Sequence, residues 1–213
     1  MLIGFCILAG VVVILWVISD ANLPDNIGRV LINQEKAEVI NRNSHLTEYV
    51  HLSPNADFPR QNKIRKITVH HMAGNLSLEY TGKLFSNRDR NASANYAIDS
   101  DGKIALYVEE ANRAWTSSNA KNDQQAVTIE VANDETGGDW HVSDAAYAAL
   151  IDLCTDICQR NGITDFTFTG DASGTLTIHK MFKETECPGP YLESRMPSLA
   201  QSVNARLHAE KSN

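Results

Sequence analysis

The polar and apolar positions along the chain change rhythm several times, and each change predicts an element. Residues 1–19 carry no charged side chain. At ~1.5 Å per residue they span close to a ~30 Å hydrocarbon core, so they predict an N-terminal hydrophobic helix. It serves either as a transmembrane signal anchor or as a cleaved signal peptide, with Ser19-Asp20-Ala21 as a small-x-small site. Residues 20–59 then mix charges, prolines and asparagines without a firm period, and predict a linker and an irregular N-terminal arm or short helix. From about residue 60 the pattern becomes that of a folded domain, extending to 209.

Within that domain, Ile64 to His71 is β-branched and apolar and reads as a strand ending at Ala73-Gly74-Asn75. Ser77 can cap a helix carrying Leu78, Thr81, Leu84 and Phe85. Ala94–Ile98 and Lys103–Val108 flank the turn signal Asp99-Ser100-Asp101-Gly102 and predict a hairpin. Ala126–Val131 reads as a central strand. Ser143 to Arg160 is a helix with Leu150, Ile151, Cys154, Ile157 and Cys158 in its apolar stripe, stopped by Asn161-Gly162. Asp165–Thr169 reads as a short strand, and Pro197–Ala209 as a closing helix with proline in its first turn. Strands alternate with helices and one hairpin forces an antiparallel pair. The expected class is α/β: a single domain with a mixed central β-sheet flanked by helices, preceded by the N-terminal hydrophobic helix.

Composition narrows the function. Twenty-six acidic against nineteen basic residues give a net charge of -7, which excludes a general binder of nucleic acid. The four cysteines, Cys6, Cys154, Cys158 and Cys187, do not form a disulfide framework. Cys154 and Cys158 share one helix face and read as small buried thiols.

Three places carry candidate chemistry. His179 and Cys187 sit in one loop closed by Pro188-Gly189-Pro190, and the strand at 64–71 ends on His70-His71. Two imidazoles and a thiolate are a three-donor set for Zn2+, with a fourth position open for catalysis. Neighbouring strand residues point to opposite faces, so only one of His70 and His71 can join that set. Glu130 lies inside the apolar run Val127-Thr128-Ile129-Glu130-Val131. It is either an outward residue of an edge strand or a carboxylate placed there as a general base.

Thr68-Val69-His70-His71, Ser93-Ala94-Asn95-Tyr96, Arg113-Ala114-Trp115, Val127-Thr128-Ile129-Glu130 and His179-x7-Cys187-Pro188-Gly189 resemble, in that order, the zinc-dependent N-acetylmuramoyl-L-alanine amidases. This type 2 amidase family includes phage endolysins, autolysins and peptidoglycan recognition proteins. The resemblance covers roughly residues 60–205. It implies one Zn2+ ion held by His70, His179 and Cys187, and Glu130 in the catalytic role. It implies peptidoglycan as the partner and hydrolysis of the amide between N-acetylmuramic acid and L-alanine. The apolar N-terminal segment would attach the chain to the membrane or export it, so the expected place of action is outside the cytoplasm, as a monomer. Two positions depart from the pattern: Thr185 stands where many relatives carry lysine, and Thr116 where many carry histidine. Thr185 can still donate a hydrogen bond to a developing oxyanion. Trp115 and Tyr96 are expected to line the substrate groove. Two rival readings are a peptidoglycan-binding module without activity and a cysteine hydrolase using Cys187.

Overall fold

A computed structural model describes residues 25–209, with side chains from residue 33 onward. The described residues from Lys36 onward form one compact unit. The expected anchor or signal peptide at 1–19 lies outside the described residues. Among those described, no helix is long and apolar enough to cross a membrane.

In chain order the elements are α1 (Asp25–Arg42), β1 (Thr47–Val50), β2 (Ala56–Asp57), β3 (Lys66–His71), α2 (Leu78–Ser86), β4 (Tyr96–Ile98), β5 (Ile104–Leu106), β6 (Arg113–Ala114), α3 (Ala120–Asp123), β7 (Ala126–Val131), α4 (Asp144–Asn161), β8 (Leu176–Ile178) and α5 (Gly189–Ala209). Six strands form one sheet in the order β1-β5-β4-β7-β3-β8, and β2 pairs with β6 in a small ribbon. The β4–β5 hairpin is antiparallel. Parallel pairs join β1 to β5, β4 to β7, β7 to β3 and β3 to β8, so the sheet is mixed as expected. The hairpin turn needs glycine: Gly102 has φ +85°, and a Cβ there would stand 2.8 Å from the Ala145 carbonyl oxygen.

Strand parity builds the two faces of the sheet. Ile67 and Val69 of β3 and Val127, Ile129 and Val131 of β7 point to one side, where they pack with Leu150, Leu153 and Ile157 of α4 and Leu192, Met196 and Val203 of α5. On the other side Ala97, Ala105 and Tyr107 pack with Leu78 and Phe85 of α2. His70 and Glu130 hold the alternate positions of β3 and β7, directly opposite each other in the ladder. Ser77 and Ser143 cap α2 and α4 as expected, accepting from the amides of Tyr80 and Ala146. Cys154 and Cys158 are buried free thiols, as their helix face predicted.

Three expectations about elements need correction. From Asp25 to residue 59 the helix alternative holds, with α1 running to Arg42, whereas β1, an edge strand of the main sheet, and β2, half of the ribbon, replace the expected irregular stretch. Pro54, Asn55, Pro59 and Asn62 masked these short strands, which gain their order from partners far along the chain. Asp165–Thr169 is not a strand; the ladder beside β3 is taken by Leu176–Ile178 instead. The last helix starts at Gly189, so Pro197 lies inside it. The buried series Leu192, Met196, Leu199, Ala200, Val203 and Leu207 runs through the proline at helical spacing, and packing outweighs the one lost N–H donor.

Candidate active site

Four side chains meet at the carboxyl ends of the central strands. His70 ends β3, Glu130 ends β7, His179 opens the 3-10 turn after β8, and Cys187 lies in the loop before α5. The Lys180 amide donates to the Cys187 carbonyl at 3.1 Å, which closes the loop between His179 and Cys187 into a clamp. One donor atom each from His70, His179 and Cys187 lies within 4.8 Å of the others. Cys187 Sγ is 3.7 Å from His70 Nδ1. Zinc bonds of ~2.0–2.3 Å in a tetrahedron set donors roughly 3.3–3.7 Å apart, so the set fits the ion with a small contraction. His71 points away and packs edge-on against Trp140 at 5.2 Å between centroids. Its backbone N–H donates to Cys187 Sγ at 3.4 Å.

The electrostatics of the set run one way. Burial pushes the His70 and His179 imidazoles down, which keeps them neutral and able to ligate. Burial pushes the Cys187 thiol up, and the Glu130 carboxyl up to about 8, with the Arg90 cation pulling Glu130 the other way. His70 Nε2, His179 Nε2 and Glu130 Oε2 are buried without a hydrogen-bond partner. His179 Nε2 and Glu130 Oε2 are atoms that a bound cation and its water would satisfy. Glu130 Oε1 stands 4.0 Å from His70 Nδ1, within reach of a water held beside the three donors.

Above these groups lies a groove of about 280 Å3. Its floor holds Glu130, His179 and Cys187, and its walls include Leu76, Leu84, Phe85, Arg90 and Thr185. Thr185 is therefore at the site. Its Oγ accepts from the Cys187 amide at 3.2 Å, which leaves its own proton to donate. Trp115 lines a neighbouring hollow instead, with its indole N–H donated to Asp57 at 2.9 Å. Tyr96 is not a groove residue. It pairs with Ile129 across β4 and β7, so its parity sends the ring to the α4 side, fully buried. There its hydroxyl donates to Glu110 at 2.6 Å and accepts from the Ser44 amide at 3.0 Å. A larger hollow, about 560 Å3, lies between Arg42, Arg60, Lys63, Glu110 and Arg160. Its arginines are bonded to Glu109, Glu110, Asp156 and backbone carbonyls, a structural arrangement away from the four site residues.

Sequence reasoning did not find Arg90 or the apolar wall of α2 as groove residues. Arg90 sits in a run that reads only as a polar loop. Leu84 and Phe85 carry the ordinary signature of a helix face turned to a core.

Comparisons with known proteins agree with this geometry. The profile of the N-acetylmuramoyl-L-alanine amidase family matches residues 60–190. The PlyG catalytic domain is similar at 19% identity and a TM-score of 0.58, over 74% of this chain and 93% of that one. A mutant endolysin from Bacillus subtilis is similar at 18% identity and a TM-score of 0.56, over 73% and 97%. The N-acetylmuramoyl-L-alanine amidase LysC from Clostridium intestinale URNW is similar at 18% identity and a TM-score of 0.51, over 71% and 97%. At such identities the structures speak for a shared fold. A comparison with curated protein sequences gives no match. With the family profile running from Arg60 to Pro190, across the central strands and the closing loop alike, the chain belongs to the N-acetylmuramoyl-L-alanine amidase family and is an enzyme of that class.

Proposed function

We propose that this amidase is a zinc-dependent peptidoglycan hydrolase that cuts the amide between N-acetylmuramic acid and the L-alanine of the stem peptide. The observation that carries the reading is the convergence of His70, His179 and Cys187 beside the unpartnered carboxyl oxygen of Glu130. These three side chains would hold the ion. When bound, zinc supplies Lewis acidity, acidifying water and polarising the scissile carbonyl. Glu130 accepts the proton of the attacking water and delivers it to the leaving amine. Burial, which raises the carboxyl in the metal-free protein, favours holding the proton once it is taken, whereas a cation bound beside it would pull the carboxyl the other way and favour the accepting step. Thr185 donates its free hydroxyl proton to the developing oxyanion. The apolar wall of Leu76, Leu84 and Phe85 excludes bulk water from one side of the groove. Action on the wall lies outside the cytoplasm, and the apolar stretch at 1–19 would deliver or tether the domain there.

Metal analysis paired with mass spectrometry of digested walls tests the reading. Expected are one zinc per chain and new L-alanine amino termini. Glu130→Gln is expected to keep the metal and lose at least ~100-fold in turnover. Wild-type-like rates in that variant would remove Glu130 from the mechanism. The short distance from Cys187 Sγ to His70 Nδ1 also suits a cysteine–histidine pair. Burial that pushes the thiol up works against a nucleophile there. Activity that survives chelation and falls on thiol alkylation would favour it.

A further inference from the structure

A row of buried threonines lies one step beneath the site. Thr68, Thr128 and Thr177 each stand two residues before His70, Glu130 and His179, and so share their side of the sheet. The row is in register: Thr68 is the ladder partner of both Thr128 and Thr177. All three are fully buried. The Thr68 and Thr177 hydroxyls lie 2.9 Å apart, and the Asn122 amide donates to Thr68 Oγ1 at 2.9 Å. Thr128 Oγ1 is 2.8 Å from Thr116 Oγ1.

The neighbouring turn is held by one buried carboxylate. Asp123 accepts from the Thr116 amide at 3.2 Å, from the Ser117 amide at 3.1 Å and from the Ser117 hydroxyl at 2.5 Å. The backbone of that same Ser117 also bonds the His179 ring, a contribution that raises the imidazole against the larger downward push of burial and of the Lys183 cation. Nε2 of His179 has no partner, so the bonded nitrogen is Nδ1 and the free one remains for a ligand. A metal-binding imidazole is oriented in this way by the acceptor on its far nitrogen. The layer is not an economical way to stabilise the sheet. Its hydroxyls satisfy the buried Asn95 and Asn122 amides, yet Asn122 Oδ1 is left buried and unpartnered within it.

We propose that Asp123 is a positioning residue of the metal centre. It fixes the Ser117 turn, whose carbonyl sets the ring plane and tautomer of His179. Asn122 and the threonine row tie that turn to the strand ends carrying His70 and Glu130. This rests on the zinc reading above.

The test measures Zn2+ affinity by chelator competition, the electronic spectrum of the Co2+-substituted protein and the melting temperature of the metal-free protein. Asp123→Asn presents a donor to the Thr116 and Ser117 donors. It is expected to weaken zinc binding ~10–100-fold and to change the Co2+ spectrum. Thr68→Val should act in the same direction, and Thr68→Ser should restore wild-type affinity. Glu110→Gln, in a buried network away from the site, should lower the melting temperature and leave affinity and spectrum alone. That contrast separates positioning from stability, because lost stability does not alter the affinity of chains that remain folded. Should Asp123→Asn not fold, Ser117→Ala takes its place: it deletes the short hydroxyl bond to Asp123 along with two longer contacts, to the Asn119 carbonyl and from the Asn122 amide, and keeps the Ser117 carbonyl. Wild-type affinity and spectrum in the Asp123 or Ser117 variant would overturn the proposal while leaving the zinc reading intact. A wild-type chain that takes up no zinc would overturn the zinc reading and the proposal with it.

Discussion

Tyr96→Phe separates two roles for a tyrosine that looks, by its place in the chain, like a groove residue. The substitution removes one oxygen and leaves the ring. In the structure that oxygen donates to Glu110 Oε1 at 2.6 Å and accepts from the Ser44 amide at 3.0 Å. Glu110 keeps its donors from Arg160 and Asn161, so the carboxylate is not stranded. The lost bond to a charged acceptor is worth about 1.5–3 kcal/mol, and the Ser44 N–H, fully buried, loses its partner at a cost of about 1–3 kcal/mol. The two losses overlap, since a phenol need not be desolvated in the variant, and a net destabilisation of roughly 2–4 kcal/mol follows. For a chain of this size that lowers the melting temperature by about 5–15 °C. Thermal unfolding followed by circular dichroism reads the change, and a double-mutant cycle with Glu110→Gln isolates the coupling between the two side chains. Wall hydrolysis well below the transition should remain at the wild-type rate. A melting temperature within ~2 °C of wild type, together with a tenfold fall in kcat/KM, would refute the parity argument and return Tyr96 to the groove.

Two further predictions concern the clamp and the base. Gly189 has φ +84°, and a Cβ there would stand 2.9 Å from Trp140 Cβ and 3.2 Å from His71 Nδ1. Gly189→Ala should destabilise by about 1–3 kcal/mol and weaken zinc binding measurably by chelator competition, since Cys187 is two residues away. In the metal-free protein the Glu130 carboxyl is raised from 4.5 to about 8, so the folded state binds its proton more tightly than the unfolded chain does. Its contribution to stability is complete below pH 4.5 and is lost as pH rises through about 8. The full interval corresponds to at most ~5 kcal/mol, and the 18% exposure of the side chain lowers that figure. Urea denaturation of metal-free wild type and Glu130→Gln should therefore diverge between these pH values, with the variant the more stable at pH 8; parallel curves would show that Glu130 is solvated.

The parts of this molecule legible in the sequence are those governed by local period. Alternation along β3 separates His70 from His71 without any partner strand. A glutamate flanked by Ile129 and Val131 stands out because nothing nearby accounts for it. Ser77, Ser143 and Gly162 mark helix ends by local capping. What the sequence hid depends on register and on distant partners. The parity of Tyr96 is decided by its pairing with Ile129, thirty-odd positions away, and no pattern inside 94–98 announces it. β1 and β2 are strands because β5 and β6 pair with them, against the local signal of prolines and asparagines. The threonines at 68, 128 and 177 are each visible beside a site residue, yet they form a row only once β8, β3 and β7 are known to be neighbours.

The shifts at the site point to why its parts lie where they do. Without a cation, each titratable group is driven toward its neutral form: two imidazoles down, a thiol and a carboxyl up. A single divalent ion reverses the direction for the thiol and gives the unpaired His179 nitrogen a partner. Its binding therefore offsets desolvation already incurred in folding, and stabilises by RT ln(1 + [metal]/Kd), ~4 kcal/mol at a thousandfold excess over Kd. The donors come from β3 and from the loop between β8 and α5, so that stabilisation ties the centre of the sheet to the start of the last helix. Removing the ion should then loosen the His179–Cys187 clamp before it loosens β3 or β7, whose ladder does not depend on it. Hydrogen exchange of the chelated protein would read this as early loss of protection at the Lys180 and Gly189 amides, which bond to the carbonyls of Cys187 and Glu186 inside the clamp. Protection lost first in β3 would mean that the metal supports the sheet rather than the loop.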